Sequence, residues 1–170
     1  MERETDYPIN ALEQTRVRKL TEAGFADLKK IPDLEALCAV AKAHFGTESA
    51  VVTLLTKENI IFKARTGIDV EQTPRRVAFC NYTILEDKVF VVHDALSDLR
   101  FRSSPLTAGA PFIRFYAGAP LTYLADTRIG AFGLLDSKPR QVFSLGDKAE
   151  LIDFAERAVG ILVAQLGKVS

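Results

Sequence analysis

Two segments near the start of the chain repeat apolar residues at the spacing of a helix. In residues 10–23, Asn10 and Glu13 match the pattern of a capping box, and Gly24 follows where a left-handed residue would end the helix. The apolar content of this helix is thin, so we expect it to lie against another element or another chain. A second helix is predicted to begin with Asp33 as N-cap, and one apolar stripe of it should face a core: Leu34, Leu37, Cys38, Ala41 and Phe45.

β-Branched and aliphatic runs predict five strands. Residues 50–56 and 60–66 flank a polar turn and form a β-hairpin, with period-two alternation in the second strand. Three further strands are predicted at residues 89–93, 113–121 and 128–136. Because the connections include too few long crossovers for a parallel sheet, we expect an antiparallel sheet with helices packed on it, an α+β domain.

Two long segments between the strands show no sustained period. Residues 68–88 predict a loop with a short helix near 78–83, and residues 94–111, rich in Pro, Gly and Ser, are typical of a binding loop. A final helix is predicted from the cap Ser144 to Leu166. It carries two apolar rows, and we expect the second row to meet the N-terminal helix or a second copy of the chain: Leu151, Phe154, Ala158 and Ile161.

Length, composition and charge narrow the class of protein. The 170 residues suit one domain, and the 48% of apolar residues excludes disorder over most of the length. Twenty-two basic residues balance 22 acidic ones, which argues against a nucleic-acid partner. The sequence holds no apolar run of the roughly 20 residues that cross a membrane and no signal segment, so we expect a cytoplasmic protein without a membrane partner. Cys38 and Cys80 are expected to be free thiols.

Several blocks of sequence occur together in an order that is informative about family. They are Thr73-Pro74-Arg75 with 78–84, 91–95 with 98–101, 113–121, and 130–136 with Pro139-Arg140. With these blocks the chain, from about residue 25 to 166, resembles a GAF domain of the bacterial signalling subgroup found in sensor histidine kinases and diguanylate cyclases. The resemblance implies a six-stranded antiparallel sheet with terminal helices on one face and a loop-covered ligand cavity on the other.

The resemblance also implies a function and an organisation. Residues 1–24 would be an N-terminal helix for dimerisation or signalling, and residues 25–170 the GAF domain. We expect a non-catalytic sensory or regulatory module that binds a small molecule and forms a homodimer through its terminal helices. It would either act on a separate signalling effector or be part of a larger signalling protein. The sequence identifies neither the ligand nor a cofactor. Since aromatic side chains are enriched in small-molecule sites, the expected cavity residues are Phe79, Cys80, Tyr82, His93, Asp94, Phe101, Phe115 and Tyr116.

Arg114 stands on an otherwise apolar strand. A buried guanidinium requires a partner, and the expected mates are Asp94, Asp98 and Asp136. We therefore assign Arg114, Asp98 and Asp136 a structural role that ties the segment after residue 94 to the sheet. On the same strand, Gly118 would let a ligand or another backbone approach closely.

Particular residues argue against several known GAF ligands, and one of them, Cys80, is the basis of an enzymatic alternative. Asn59 lacks the adjacent Lys of the cyclic-nucleotide-binding members, and Cys80 is not followed by the His of bilin binders. The spacing of the two Cys and two His residues does not predict a metal site, and haem at His93 has no second signal. The alternative function is a thiol-dependent reductase similar to free methionine sulfoxide reductases. It would use Cys80 as a thiolate, stabilised by Arg75, Arg76 or His93.

Overall fold

Six strands form a single antiparallel sheet in the computed structural model, which describes residues 7–168. They are β1 (Ser49–Leu55), β2 (Asn59–Thr66), β3 (Gln72–Pro74), β4 (Phe90–Val92), β5 (Phe115–Tyr123) and β6 (Thr127–Asp136). Their order across the sheet is β3-β2-β1-β6-β5-β4, and every neighbouring pair is antiparallel. The predicted α+β class and antiparallel sheet are confirmed. Strand β3 was not predicted, because three residues are too few to show an alternating pattern.

Five α-helices accompany the sheet in the described part of the chain. They are α1 (Glu13–Ala23), α2 (Pro32–Phe45), α3 (Cys80–Thr83), α4 (Pro105–Ala108) and α5 (Leu145–Leu166). Helices α2 and α5 pack on one face of the sheet, and α3 covers part of the other. Ser144 and Asp147 close a capping box at the start of α5, with bonds of 3.0 and 2.9 Å between side chain and backbone N–H. Within residues 7–168, no helix has both the length and the apolar character needed to cross a bilayer.

The alternation of side chains along β1 creates two hydrophobic cores. Ala50, Val52 and Leu54 face α2 and α5, and we call this side the helix-side core. Val51 and Leu55 face the irregular segments on the other side, the loop-side core. Because each face of the sheet is covered, β1 is buried along its whole length.

The start of α1 differs from the prediction. The helix begins at Glu13, Asn10 Oδ1 accepts a bond from the N–H of Leu12, and no capping box forms. The Glu13 carboxylate instead binds the guanidinium groups of Arg16 and Arg75. A glutamate at this position can serve either a capping box or a tertiary ion pair. The spacing of Asn10 and Glu13 therefore did not show which of the two would form.

The second apolar row of α5 is covered within the chain. Phe154 packs against Phe45 of α2 and Phe132 of β6, with ring centroids 5.8 and 5.6 Å apart. Leu151 and Ala158 of the same row are fully buried. The expectation that this row needs the N-terminal helix or a second copy is therefore wrong, because α2 and the sheet already bury most of it.

Candidate ligand cavity

A small cavity lies in the loop-side core, between the sheet and the irregular segments 68–88 and 94–111. We call these two segments the covering segments. Its volume is about 20 Å³, and Phe79, Cys80 and Tyr116 are part of its wall. The other lining residues include Val51, Ile60, Phe62, Ile68, Leu106 and Ile113. A space of this size admits roughly one water molecule, whereas small-molecule sites typically measure about 300 Å³ or more. In this conformation the cavity has no room for a larger ligand unless the covering segments move outward.

Four side chains form a polar cluster beside the cavity. The hydroxyls of Thr53 and Tyr116 each lie 3.5 Å from the Sγ of Cys80. Thr83 and Tyr116 share a bond of 2.8 Å between their hydroxyl oxygens, and the Thr53 hydroxyl also donates to the carbonyl of Ala131 at 3.3 Å. Because the members bond to one another, these polar groups are satisfied inside an otherwise apolar core.

Burial keeps the cluster uncharged. It raises the pKa of the Cys80 thiol, in spite of the bonds from Thr53 and Tyr116. Burial likewise raises the pKa of Tyr116 well above its ordinary value. None of the three cations expected to support a thiolate is seen to contact Cys80: Arg75 binds Glu13, His93 Nδ1 lies 2.9 Å from a backbone carbonyl, and Arg76 is exposed. At neutral pH, Cys80 is therefore a protonated, buried thiol.

Gly118 makes room for the hydroxyl of Tyr116. A Cβ atom at position 118 would lie 2.1 Å from that oxygen and 2.8 Å from Oγ of Thr83. The close approach predicted at this glycine therefore exists, but the group that approaches is a side chain from two residues earlier on β5. Any larger residue would displace the Tyr116 ring from the polar cluster.

An aromatic layer extends from the cavity to the surface. Phe101 stacks on Phe79 with centroids 4.3 Å apart, and Tyr82 stacks on Phe90 at 5.4 Å. The guanidinium of Arg100 lies 5.1, 5.0 and 5.2 Å from the ring centres of Tyr82, Phe90 and Phe101. Tyr82 and Phe101 were predicted to line the cavity. They lie instead one layer outside its wall.

Asp98 pairs with Arg100 instead of Arg114. Its carboxylate accepts bonds of 3.0 and 2.8 Å from that guanidinium, and the bond from Arg100 lowers the pKa of Asp98. The pair holds Arg100 over the aromatic layer. The ion-pair partner of Asp98 is therefore a residue two positions away in sequence, not the predicted Arg114.

Arg114 ties the covering segment to the sheet through carbonyl oxygens. Its Nη1 donates to the carbonyls of Thr107 at 2.8 Å and Ile113 at 3.2 Å, and its backbone N–H donates to the carbonyl of Asp136 at 2.8 Å. The predicted carboxylate partner is wrong. The side chain is only half-buried, so carbonyl dipoles and solvent satisfy the charge without an ion pair.

Three predicted cavity residues lie elsewhere. Phe115 belongs to the helix-side core, where it contacts Phe143, because neighbouring residues of a strand face opposite sides. His93 is exposed, and Asp94 accepts a bond of 3.1 Å from the N–H of Leu96 at a short 3-10 helix. Among residues 7–168, no group of three or more His, Cys, Asp or Glu side chains is placed to hold a metal ion.

A buried charge network joins the cavity region to α1, and the sequence analysis missed it. Arg75 is 1% exposed, and its Nε donates to Asn81 Oδ1 at 3.0 Å while Nη1 binds Glu13. Asn81 in turn donates to the carbonyl of Arg75 and, at 3.1 Å, to that of Ala78. Since Asn81 follows Cys80 directly in α3, the network connects the cavity wall to the N-terminal helix. An arginine within a charged, irregular stretch gave no local sign of such burial.

The fold is that of a GAF domain, as the sequence blocks predicted. No family model matches the chain. The free methionine-R-sulfoxide reductase of Neisseria meningitidis, solved in complex with its substrate, has a TM-score of 0.67 and 17% identity over 99% of this chain and 100% of that one. The GAF domain of an Acinetobacter phosphoenolpyruvate-protein phosphotransferase has a TM-score of 0.65 and 13% identity over 95% and 100%. These likenesses establish the fold.

A relative of named activity is found by sequence. A cyclic di-GMP phosphodiesterase of Pseudomonas aeruginosa is 38% identical over 149 residues, which are 88% of this chain and 25% of that protein. The chain therefore spans about a quarter of the relative. The expectation that the chain is not an enzyme is overturned by this relative and by the reductases that share the fold. Enzymatic roles therefore enter the functional proposal.

Proposed function

We propose that the chain is a ligand-sensing unit of a protein that hydrolyses cyclic di-GMP, and that a small molecule in the loop-side cavity modulates this hydrolysis. The observation that carries the proposal is the 38% identity over 149 residues to a cyclic di-GMP phosphodiesterase, of which the match spans 25%. The effector of the sensor would then be the hydrolytic activity of the same protein or of a separate partner. The GAF fold supports the sensory part of the proposal.

The route from cavity to helix supports a signalling role. We infer that the N-terminal segment 1–24, through its helix α1, passes on the signal, and that residues 25–170 are the sensing domain. A ligand larger than the closed cavity must displace α3 or its neighbours, and α3 carries Asn81. Movement of Asn81 would change the contacts of Arg75 with Glu13 and so the position of α1, which is how helix shifts transmit ligand binding.

The proposal is tested in a chimeric phosphodiesterase, because its hydrolysis of cyclic di-GMP can be measured. The matching segment of the Pseudomonas aeruginosa phosphodiesterase is replaced by this chain, and cyclic di-GMP hydrolysis by the chimera is measured. Ala78→Leu fills the cavity and holds its cover outward, so we expect the rate to change at least about five-fold, the lower range of allosteric coupling. Ala39→Leu, the same substitution on an exposed face of α2, is the control and should leave the rate unchanged.

An equal rate in the Ala78→Leu chimera and the parent chimera would contradict the proposal, provided that thermal unfolding shows both to be folded. Activity of the isolated chain toward cyclic di-GMP is measured in the same assay. Hydrolysis by the chain alone would replace a modulating role with a direct catalytic one.

A second candidate function is reduction of methionine sulfoxide at Cys80, which the fold likeness to free methionine-R-sulfoxide reductases favours. Cys80 is 6% exposed and protonated, so this role requires an opening of the cavity that exposes and ionises the thiol. The test is turnover of free methionine-R-sulfoxide with a thiol reductant. Loss of turnover in Cys80→Ser but not in Cys38→Ser would support the reductase, whereas no turnover by the wild-type chain would reject it.

We also propose a homodimer through the helical face. A groove of about 520 Å³ runs between α2 and α5, and its lining includes Leu37, Val40, Ile161 and Ala164. The side chain of Val40 is exposed there, and a second copy of the chain would cover it. Dimerisation on this face would bring α2 and α5 of the two subunits together.

A further inference from the structure

Three aromatic rings outside the cavity wall surround a single guanidinium group. The central carbon of the Arg100 guanidinium lies at nearly the same distance, 5.1, 5.0 and 5.2 Å, from the ring centres of Tyr82, Phe90 and Phe101. We call these three rings the aromatic cage. A cation within about 6 Å of a ring centre is attracted by the electron-rich face of the ring, so all three rings stabilise the guanidinium.

The rings of the cage come from three separate parts of the chain. Tyr82 belongs to α3, Phe90 to β4, and Phe101 to the covering segment 94–111. Phe101 is 4% exposed and forms the floor of the cage, whereas the other two rings are half-buried. The ring of Phe101 meets that of Tyr82 at 75° and that of Phe90 at 63°, with centroids 5.1 and 6.1 Å apart. The rings thus line three sides of the space that the guanidinium fills.

A carboxylate completes the surroundings of this cation. Asp98 accepts bonds of 3.0 and 2.8 Å from Nε and Nη2 of Arg100, and its side chain is 18% exposed. Three rings and one carboxylate around a small space are the groups that recognise an organic cation, because they combine attraction to the ring faces with a counter-charge.

Arg100 differs from the arginines that tie distant segments together. Arg128 donates to the carbonyls of Ile84 and Leu85, at 2.7 and 3.2 Å, across more than 40 positions of sequence. Within residues 7–168, the side chain of Arg100 donates hydrogen bonds to Asp98 alone, and it is 44% exposed. The guanidinium can therefore turn out into solvent without breaking a hydrogen bond between distant segments.

We propose that the aromatic cage and Asp98 bind a small organic cation with a guanidinium or quaternary ammonium group, and that Arg100 is an internal occupant that this ligand displaces. Both groups are weakly hydrated, so aromatic rings can replace the water around them, whereas a compact ammonium ion holds its water strongly. An anion would be repelled by Asp98. The inference goes beyond the proposed function and does not depend on it, because the cage lies outside the wall of the loop-side cavity.

The experiment compares tetramethylammonium with tert-butanol, a neutral molecule of similar shape, at an ionic strength kept equal with sodium chloride. Binding to the 170-residue chain is followed by NMR, through the ring signals of Tyr82, Phe90 and Phe101. We expect the wild-type protein to bind tetramethylammonium more tightly than tert-butanol. Arg100→Ala empties the cage, so this variant should bind tetramethylammonium at least about ten-fold more tightly than the wild type.

Three further variants test the parts of the site. Arg102→Ala removes the same charge from an exposed arginine two residues later and should bind like the wild type. In the Arg100→Ala background, Asp98→Asn keeps the shape and removes the counter-charge, so tetramethylammonium should bind more weakly while tert-butanol is unaffected. In the same background, Phe90→Leu removes one ring but keeps an apolar side chain, and should weaken the binding of tetramethylammonium about two-fold or more.

Several results would overturn the inference. Equal affinity of Arg100→Ala and the wild type for tetramethylammonium would show that Arg100 is not an internal occupant. Equal binding of tetramethylammonium and tert-butanol would reject a cation site, as would no binding to Arg100→Ala at any concentration at which the protein is folded. If Arg100→Ala itself does not fold, Arg100→Gln also removes the charge, and the same rise in affinity is expected. None of these results bears on the modulation of cyclic di-GMP hydrolysis through the loop-side cavity.

Discussion

At the scale of single residues, the loop-side core depends on close fits that few substitutions would keep. Tyr116 reaches Thr83 and Cys80 only because Gly118 leaves space for its hydroxyl. Through this fit, the hydroxyl of Tyr116 joins β5 to α3 by polar contacts inside an otherwise apolar core. Such a site is sensitive to added volume, because protein interiors are close-packed.

Gly118→Ala is expected to destabilise the protein. The new methyl group would overlap the Tyr116 hydroxyl, and overpacking of this kind lowers the free energy of unfolding by roughly 1 to 3 kcal/mol. Urea denaturation followed by circular dichroism measures the change. Gly160→Ala is the matched control, because a Cβ there meets no atom within 4 Å and alanine favours the helix by up to about 1 kcal/mol. Equal stability of Gly118→Ala and wild type would mean that Tyr116 does not occupy this space.

At the scale of secondary-structure elements, α1 is held to the domain mainly by buried charge. Arg16 is 4% exposed, and its Nη1 donates to the carbonyl of Leu55 at 2.7 Å. Glu13 binds Arg16 and Arg75, and Leu20 is the one apolar side chain of α1 that is fully buried. Because α1 makes few apolar contacts and is held by a desolvated ion pair, its position depends on the ionisation of the Glu13 carboxylate.

Glu13→Gln is expected to loosen α1 from the domain. The substitution leaves the buried guanidinium of Arg75 without a counter-charge, which costs roughly 3 kcal/mol or more in the free energy of unfolding. Hydrogen exchange of the α1 amides should become faster in this variant. Glu22→Gln, on the exposed side of the same helix, should change neither stability nor exchange. Unaltered exchange in Glu13→Gln would show that the ion pair does not anchor the helix.

The same pair makes stability dependent on pH. Burial acts to raise the pKa of Glu13, but the bonds and charges of Arg16 and Arg75 outweigh it and hold the pKa below its ordinary value. A lowered pKa stabilises the folded state above the ordinary pKa of about 4.5, and this contribution is lost as the pH falls through the folded value. The stability difference between wild type and Glu13→Gln should therefore shrink from pH 6 towards pH 3, as chemical denaturation at several pH values would show.

At the scale of the whole molecule, the sheet separates a loop side from a helical side. The cavity and the polar cluster lie on the loop side, and the apolar rows of α5 are largely used to build the helix-side core. Between α2 and α5, the helical side has a groove that is open to solvent. Val40 of α2 is 54% exposed at this groove.

The proposed homodimer predicts a specific effect of Val40→Glu. A carboxylate in the groove would be desolvated in a dimer but hydrated in a monomer, so the variant should shift the protein to monomer. Sedimentation equilibrium at micromolar concentration measures the oligomeric state. Leu99→Glu places the same charge on an exposed leucine of the covering segment and should leave the dimer intact. A wild-type protein that sediments as a monomer would reject the dimer.

Local patterns were sufficient for most of the fold. The predicted segments 50–56 and 60–66 correspond to β1 and β2, and the final helix begins directly after its predicted cap, Ser144. Periodicity and turns depend on residues that are close in sequence, so they can be read from one chain. Caps were less certain, because the cap at Ser144 forms whereas those predicted at Asn10 and Asp33 do not. The sequence blocks that resemble a GAF domain then supplied the sheet and the location of the cavity.

The partners of polar side chains, and the faces on which residues lie, were decided only by tertiary structure. Glu13 meets Arg75 across 62 positions of sequence. The Thr73 hydroxyl is buried between elements that no local pattern pairs, and it has no hydrogen-bond partner within residues 7–168. Phe115 and Tyr116 are both aromatic neighbours on β5, yet one supports the helices and the other borders the cavity. Periodicity determines that a residue is buried, because burial follows from the face of its own element. What it is buried against depends on how distant elements pack, and that determined which residues form the candidate site.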